Sequence, residues 1–283
     1  MSGSTSTRLK PVIPAMRALL YAAAALVLPL SVLIFIPERT DTLAAWPIKP
    51  PITAAFFGAS YVAGFFLEFL SARENIWANA RVAIPSIFLF AVLALVATVM
   101  HLDRFHFNHP LAFTRFLAWL WLVAYAVFPV AMPIIFVLQT RASGIDPPRT
   151  AALPRWFSLA LAVQGGILIL TGVLLFVLPA TMGRVWPWEL TPLTARVIGA
   201  WAIGIGAVAV QSIWENDWRR LRSMTVAYTI FGALQLVNVF HFAGSVVWSG
   251  AGSWLFVIVM ASIALAGGYG WWRSRIGPAN RPS

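Results

Sequence analysis

Eight stretches of this chain run for 18 residues or more without a charged side chain: 18–36, 50–67, 82–100, 116–140, 156–179, 197–214, 223–240 and 254–272. The second continues to residue 72 past Glu68, and the last two are divided by the turn-forming Ser-Gly-Ala-Gly-Ser at 249–253. About 20 apolar residues in a helix cross the hydrocarbon core of a bilayer. The runs are continuous rather than alternating, so they read as helices and not as barrel strands. With 60% hydrophobic and only 10% charged residues, the chain cannot cover the surface of a soluble enzyme. The absence of cysteine excludes a disulfide scaffold, thiolate catalysis and thiolate metal ligation. The expected fold class is an all-α integral membrane protein with eight transmembrane helices. The first run reads as a retained helix: its apolar length exceeds a signal-peptide core, and Pro37-Glu38-Arg39 makes a poor cleavage site.

The net charge of +11 would suggest nucleic acid in a soluble chain. Here the basic residues sit singly between apolar runs and act as topology signals, with no groove or motif for nucleic acid. If both termini lie inside, 14 of the 20 Lys and Arg fall on the inner side, counting Arg73 and Arg81, Arg219 to Arg222, and the terminal residues up to Arg281. That bias predicts a plasma (inner) membrane protein with cytoplasmic termini. Tryptophans such as Trp46, Trp156, Trp186 and Trp271 cluster near span ends as an interfacial belt.

An internal repeat is the second organising feature. Shifted by 141 residues, 51–81 aligns without gaps on 192–222 with ten of 31 positions identical, among them Glu74/Glu215, Asn75/Asn216, Trp77/Trp218 and Arg81/Arg222. Apolar bias does not generate a shared Glu-Asn-x-Trp-x-x-x-Arg. The chain therefore divides into two four-helix membrane repeats, 1–141 and 142–283, inserted in the same orientation about a pseudo-two-fold axis along the membrane normal. Small residues four apart, Ala54/Gly58 and Ala195/Gly199, permit close helix approach at a seam between the halves, either static or moving.

Three sets of residues carry candidate chemistry. Glu74, Asn75, Trp77 and Arg81, with Glu215, Asn216, Trp218 and Arg222, lie in inner loops. If helical, each Glu and Arg share a face two turns apart, while Asn caps the start of helix three or seven. The motifs serve either as a duplicated loop device or as a symmetric site for an anionic lipid headgroup or a membrane partner protein. Glu68 stands inside a span, without a counterpart in the second half, where Ala209 occupies the matching position. A carboxylate there marks a ligand or proton site, near enough to the inner end to meet water or Arg73. His101, His106, His109 and His241 fall at the outer ends of spans. With Asp103 they are candidate metal ligands, although their spacing matches no zinc pattern. His101 or His106 facing His241 across the axis would give two imidazoles to a haem iron.

No Ser-His-Asp set, phosphate loop or carboxylate pair is present, so the expectation leans away from an enzyme. The expected function is binding or transport of a small apolar or anionic molecule where the repeats meet. A structural or assembly subunit of a membrane complex, or a haem-binding electron carrier, are the alternatives. Pro129 and Pro133 in the fourth span, and Gly267, Gly268 and Gly270 in the eighth, permit bending without requiring it.

Overall fold

A computed structural model describes residues 8–40 and 42–276 of the chain, so Arg281 of the charge count lies outside them. Among the described residues there are eight helices long and apolar enough to cross a membrane, and no strands. They are α1 (Pro14–Leu30), α2 (Pro51–Ala72), α3 (Ile84–Val99), α4 (Ala112–Arg141), α5 (Arg155–Val177), α6 (Pro192–Glu215), α7 (Arg222–His241) and α8 (Ala251–Arg275). A 3-10 turn, Ser31–Ile34, prolongs α1, and two short turns, Trp77–Ala80 and Arg81–Ala83, lead into α3. The protein is a multi-pass, all-helical membrane protein in contact with the lipid bilayer.

Helix ends follow local chemistry. Proline stands in the first turn of α1, α2, α3 and α6, where a missing N–H costs nothing. α6 starts five residues ahead of its uncharged run because Thr191 and Thr194 form a reciprocal capping box around Pro192. α1 starts before its uncharged run as well. Arg17 in its opening turns reaches out to the Asn75 side chain and the Glu74 carbonyl, both at 3.1 Å. α4 continues unbroken through Pro129 and Pro133.

The helices form two rows. In one, α1 packs on α2, α2 on α7 and α7 on α8; in the other, α4 packs on α3, α3 on α6 and α6 on α5. The rows touch only thinly at α2–α6, α1–α4 and α5–α8. α2 and α6 are central and mostly buried, whereas α4, α5 and α8 turn most of their surface outward. Mean hydropathy is 1.5 for α2 and 1.8 for α6, against 2.3 for α4 and α5, while outward-facing α8 matches α6 at 1.8. Central helices spend positions on Thr53, Ser60, Ser71 and Ser212, while Phe116, Val123, Val127 and Val130 of α4 face outward as a lipid-compatible surface.

Polar side chains join the two halves of the sequence. Gln235 and Asn238 of α7 donate to the Phe56 and Ala55 carbonyls of α2, each at 3.0 Å. Trp188 Nε1 donates to Thr53 at 2.9 Å, and Ser71 to Ser223 at 3.0 Å. The small residues are apportioned differently from the expectation of one seam between halves. Gly199 and Gly206 of α6 face α5 within the same half, where Cβ atoms would meet backbone of Gly172 and Gly165. Gly204 faces Ser86 of α3 across the halves.

Candidate functional site

A cavity of about 280 Å³ lies among the helices of the first half, bounded by α1, α2, α3 and α4 and walled on one side by Trp201 of α6. α1 and α4 barely touch beside it. Half-exposed or exposed Ala25, Pro29 and Phe113 flank the gap between those helices, so the cavity faces the apolar phase of the bilayer sideways. Along α2 it extends from Phe57 to Glu68, a rise of about 16 Å at 1.5 Å per residue.

The walls are aromatic. Trp201 lies against Phe90 with ring centroids 4.1 Å apart, and Phe90 meets the edge of Tyr125 at 5.6 Å. Toward the outer end, Trp46 packs edge-on to Trp121 at 4.7 Å, and Trp121 is fixed by an indole N–H donated to Thr98 at 2.8 Å. Gly64 makes room for Trp201: a Cβ there would stand 3.3 Å from the indole. Gly64 is one turn before Glu68 on the same helix face, and both line the cavity together with Trp201.

Glu68 is the single carboxylate lining the cavity, which holds no Lys, Arg or His among its lining residues, and is 7% exposed. No described residue donates to its buried Oε2. Arg73, its nearest basic neighbour in sequence, stacks over Phe69 at 5.8 Å instead. The indole N–H groups of Trp46 and Trp201 also lack an acceptor among the described residues. Three buried polar groups that the protein does not satisfy therefore border one apolar space. Leaving each so costs on the order of 1–3 kcal/mol.

The matching position in the second half is closed. Gly165 of α5 brings its backbone so near α6 that an added Cβ would lie 3.2 Å from the Ala209 methyl. Gln164 Nε2 of α5 also donates to Ser262 of α8 at 3.1 Å, linking the first and last helices of the second half of the sequence.

The inner motifs meet through one ion pair rather than standing as two copies. Arg81 of the first motif pairs with Glu215 of the second, with Nη2 to Oε2 at 2.8 Å, and also with Asp146 of the linker. Glu215 further accepts from Arg220 at 3.0 Å and Gln211 at 2.9 Å. Glu74 takes Asn79 at 3.1 Å within its own loop. The expected Glu and Arg face does not form within one motif, because the intervening residues run through a loop into short turns. Neither Asn caps a helix start. Asn216 ends α6 in the left-handed conformation (φ 44), which asparagine tolerates, and its Oδ1 accepts from Leu153 N–H at 2.9 Å. Asn75 receives Arg17. Trp77 and Trp218 are buried, and Arg222 opens α7. A larger inner groove of about 880 Å³ adjoins this network between α3, α4 and α6, with Arg81 and Glu215 at its wall already neutralising each other.

At the outer side, His101 Nε2 contacts the Arg196 guanidinium at 2.8 Å. Burial and that positive charge hold the imidazole below its ordinary range; Asp103 opposes the shift and Arg104 adds to it. His106 Nδ1 meets the Ala44 carbonyl at 2.9 Å, beside His109, and His241 packs edge-on to Phe242. No three His, Asp or Glu side chains converge among the described residues. The Nε2 of His101 is committed to Arg196 and does not serve as an axial ligand in this arrangement.

Trp201 escaped sequence reasoning. Its signal was a bulky indole inside the Gly199-Ala200-Trp201 stretch, where close packing elsewhere favours small residues. Comparison with family models, with curated proteins and with solved structures gave no match to this chain.

Proposed function

We propose that the chain is a duplicated membrane protein whose first four-helix repeat binds a small, largely apolar molecule, admitted from the bilayer between α1 and α4. The observation that carries this reading is the unsatisfied Glu68 carboxyl on an aromatic cavity that opens sideways. An engineered apolar cavity of about 150 Å³ holds benzene, so 280 Å³ suits a ligand of one or two rings. A carboxyl in a lining without Lys, Arg or His disfavours an anionic occupant.

The division into repeats 1–141 and 142–283 has support in contacts that recur at the same spacing. Trp77 N–H donates to the Lys10 carbonyl at 3.0 Å, and Trp218 N–H to the Ala151 carbonyl at 3.0 Å, both partners being shifted by 141. Packing of α2 on α7 and of α6 on α3 is the pattern a two-fold axis generates. The excess of Arg and Lys at alternate loops supports cytoplasmic termini in a plasma (inner) membrane.

The test is equilibrium binding of tert-butylbenzene to the protein in lipid nanodiscs, with empty discs subtracted. Ala124→Phe fills the cavity wall between α1 and α4. Saturable binding to the wild type that this variant weakens by about tenfold or more supports the reading. Uptake no greater than in empty discs rejects it.

A further inference from the structure

Resting on the cavity reading above, the geometry points to a lipophilic organic monocation, an amine or quaternary ammonium on an apolar body, as the occupant of the first repeat. Three features of the cavity converge on that chemistry. Its single carboxylate, with no Lys, Arg or His beside it in the lining, has an oxygen that no described residue satisfies. Rings of Trp201, Phe90 and Tyr125 cluster on the wall of the cavity that Glu68 also lines, and aromatic faces attract cations through their quadrupole. The rest of the slot, up to Trp46, Leu33 and Ile48, offers apolar wall for a hydrophobic body.

Neither bare part suffices alone. An ionised carboxyl at membrane depth is costly without a partner, and a cation crossing into the same depth is costly for the same reason. Joined in one cavity they neutralise each other, while the indole faces replace part of the water the ammonium gives up. A neutral ligand leaves Glu68 as it stands, and an anion adds a repulsive neighbour. The second repeat makes the contrast internal to the molecule. Where Glu68 is replaced by Ala209, Gly165 closes the space, and the Trp201 position is matched by Ser60. Acid, ring and space therefore occur together in one repeat and are missing together at the matched positions of the other.

The test uses two isosteres that differ by a nuclear charge: phenyltrimethylammonium and tert-butylbenzene. Each is titrated into the full chain in zwitterionic-lipid nanodiscs, with empty discs subtracted. The expected result is at least about tenfold tighter binding of the ammonium to the wild type. Glu68→Gln, which keeps the shape, should erase that preference while holding tert-butylbenzene within about twofold. Trp201→Leu, which leaves the acid in place, should reduce the preference by about threefold or more. Equal affinity of the isosteres in the wild type, or a preference that persists in both variants, overturns the cation assignment and leaves the apolar cavity standing. Failure of both isosteres to bind above empty discs overturns the cavity reading itself.

Discussion

At the scale of single residues, Glu68 and Ala209, aligned by the 141-residue shift, separate what the proposed duplication allows from what one copy does with it. Glu68 was legible in the sequence, because one carboxyl interrupting an apolar run has few structural excuses. Its surroundings were not, since Trp201 arrives from the other half of the chain and no local pattern announces which ring meets which acid. The contrast predicts opposite outcomes. Glu68→Leu removes an unsatisfied polar group from a space with room for the new side chain, and should raise the melting temperature in detergent. Ala209→Glu forces a carboxyl against Gly165 and should cost about 3 kcal/mol or more, read as a fall in the same melting curve. His101 gives a second test at this scale. Burial and Arg196 shift its folded form toward losing its proton, so the unfolded chain binds more protons. Stability from this source is complete above about pH 6.5 and is lost progressively as pH falls below it. His101→Gln should flatten that part of a melting-temperature profile, with Arg196, Asp103 and Arg104 left in place.

At the scale of helices, the sequence revealed where the spans lie but not which of them touch. Span positions follow from the cost of charge in hydrocarbon, which every residue reports. Helix pairing inside lipid has no hydrophobic drive and depends on backbone approach, so it rests on a few small residues whose facing direction is not encoded in their spacing. Gly199 illustrates this: its four-residue spacing from Ala195 suggested a seam between halves, yet it meets Gly172 of its own half. A Cβ at Gly172 would stand 2.6 Å from the Gly199 carbonyl oxygen, so Gly172→Ala must push α5 and α6 apart. The expected loss is about 1–3 kcal/mol. Gly166, on the same helix, has no neighbour within 4 Å of an added Cβ. Gly166→Ala should therefore be neutral or slightly stabilising, since alanine favours the helix by up to about 1 kcal/mol. Parallel melting curves of the two variants separate interface packing from helix propensity.

At the scale of the whole molecule, the proposed arrangement is a statement about which side of the membrane each loop occupies. Two quartets with even helix counts return the chain to its starting side twice, at the linker and again at the end. The linker is bound to the N-terminal segment: Lys10 N–H donates to the Ile145 carbonyl at 2.9 Å, and Gly144 (φ 122) lies so close that a Cβ would stand 2.7 Å from the Lys10 backbone. Arg81 and Asp146 extend that junction to Glu215, so segments from both halves share one layer. If that layer is cytoplasmic, as the basic residues imply, Ser143 and Ile276 face inward while Asn108 and Val247 face outward. A chain without native cysteine suits single-cysteine labelling, because every signal comes from the introduced residue. Ser143→Cys and Ile276→Cys should react with an impermeant maleimide only after the membrane is opened, and Asn108→Cys and Val247→Cys in intact cells. All four positions are exposed, so burial does not mimic protection. Labelling of Ser143→Cys and Ile276→Cys from opposite sides would end the parallel-repeat scheme. Protection reversed at all four would keep the scheme and invert its orientation, making the inner charge bias a feature of packing around Arg81 and Glu215 rather than of insertion.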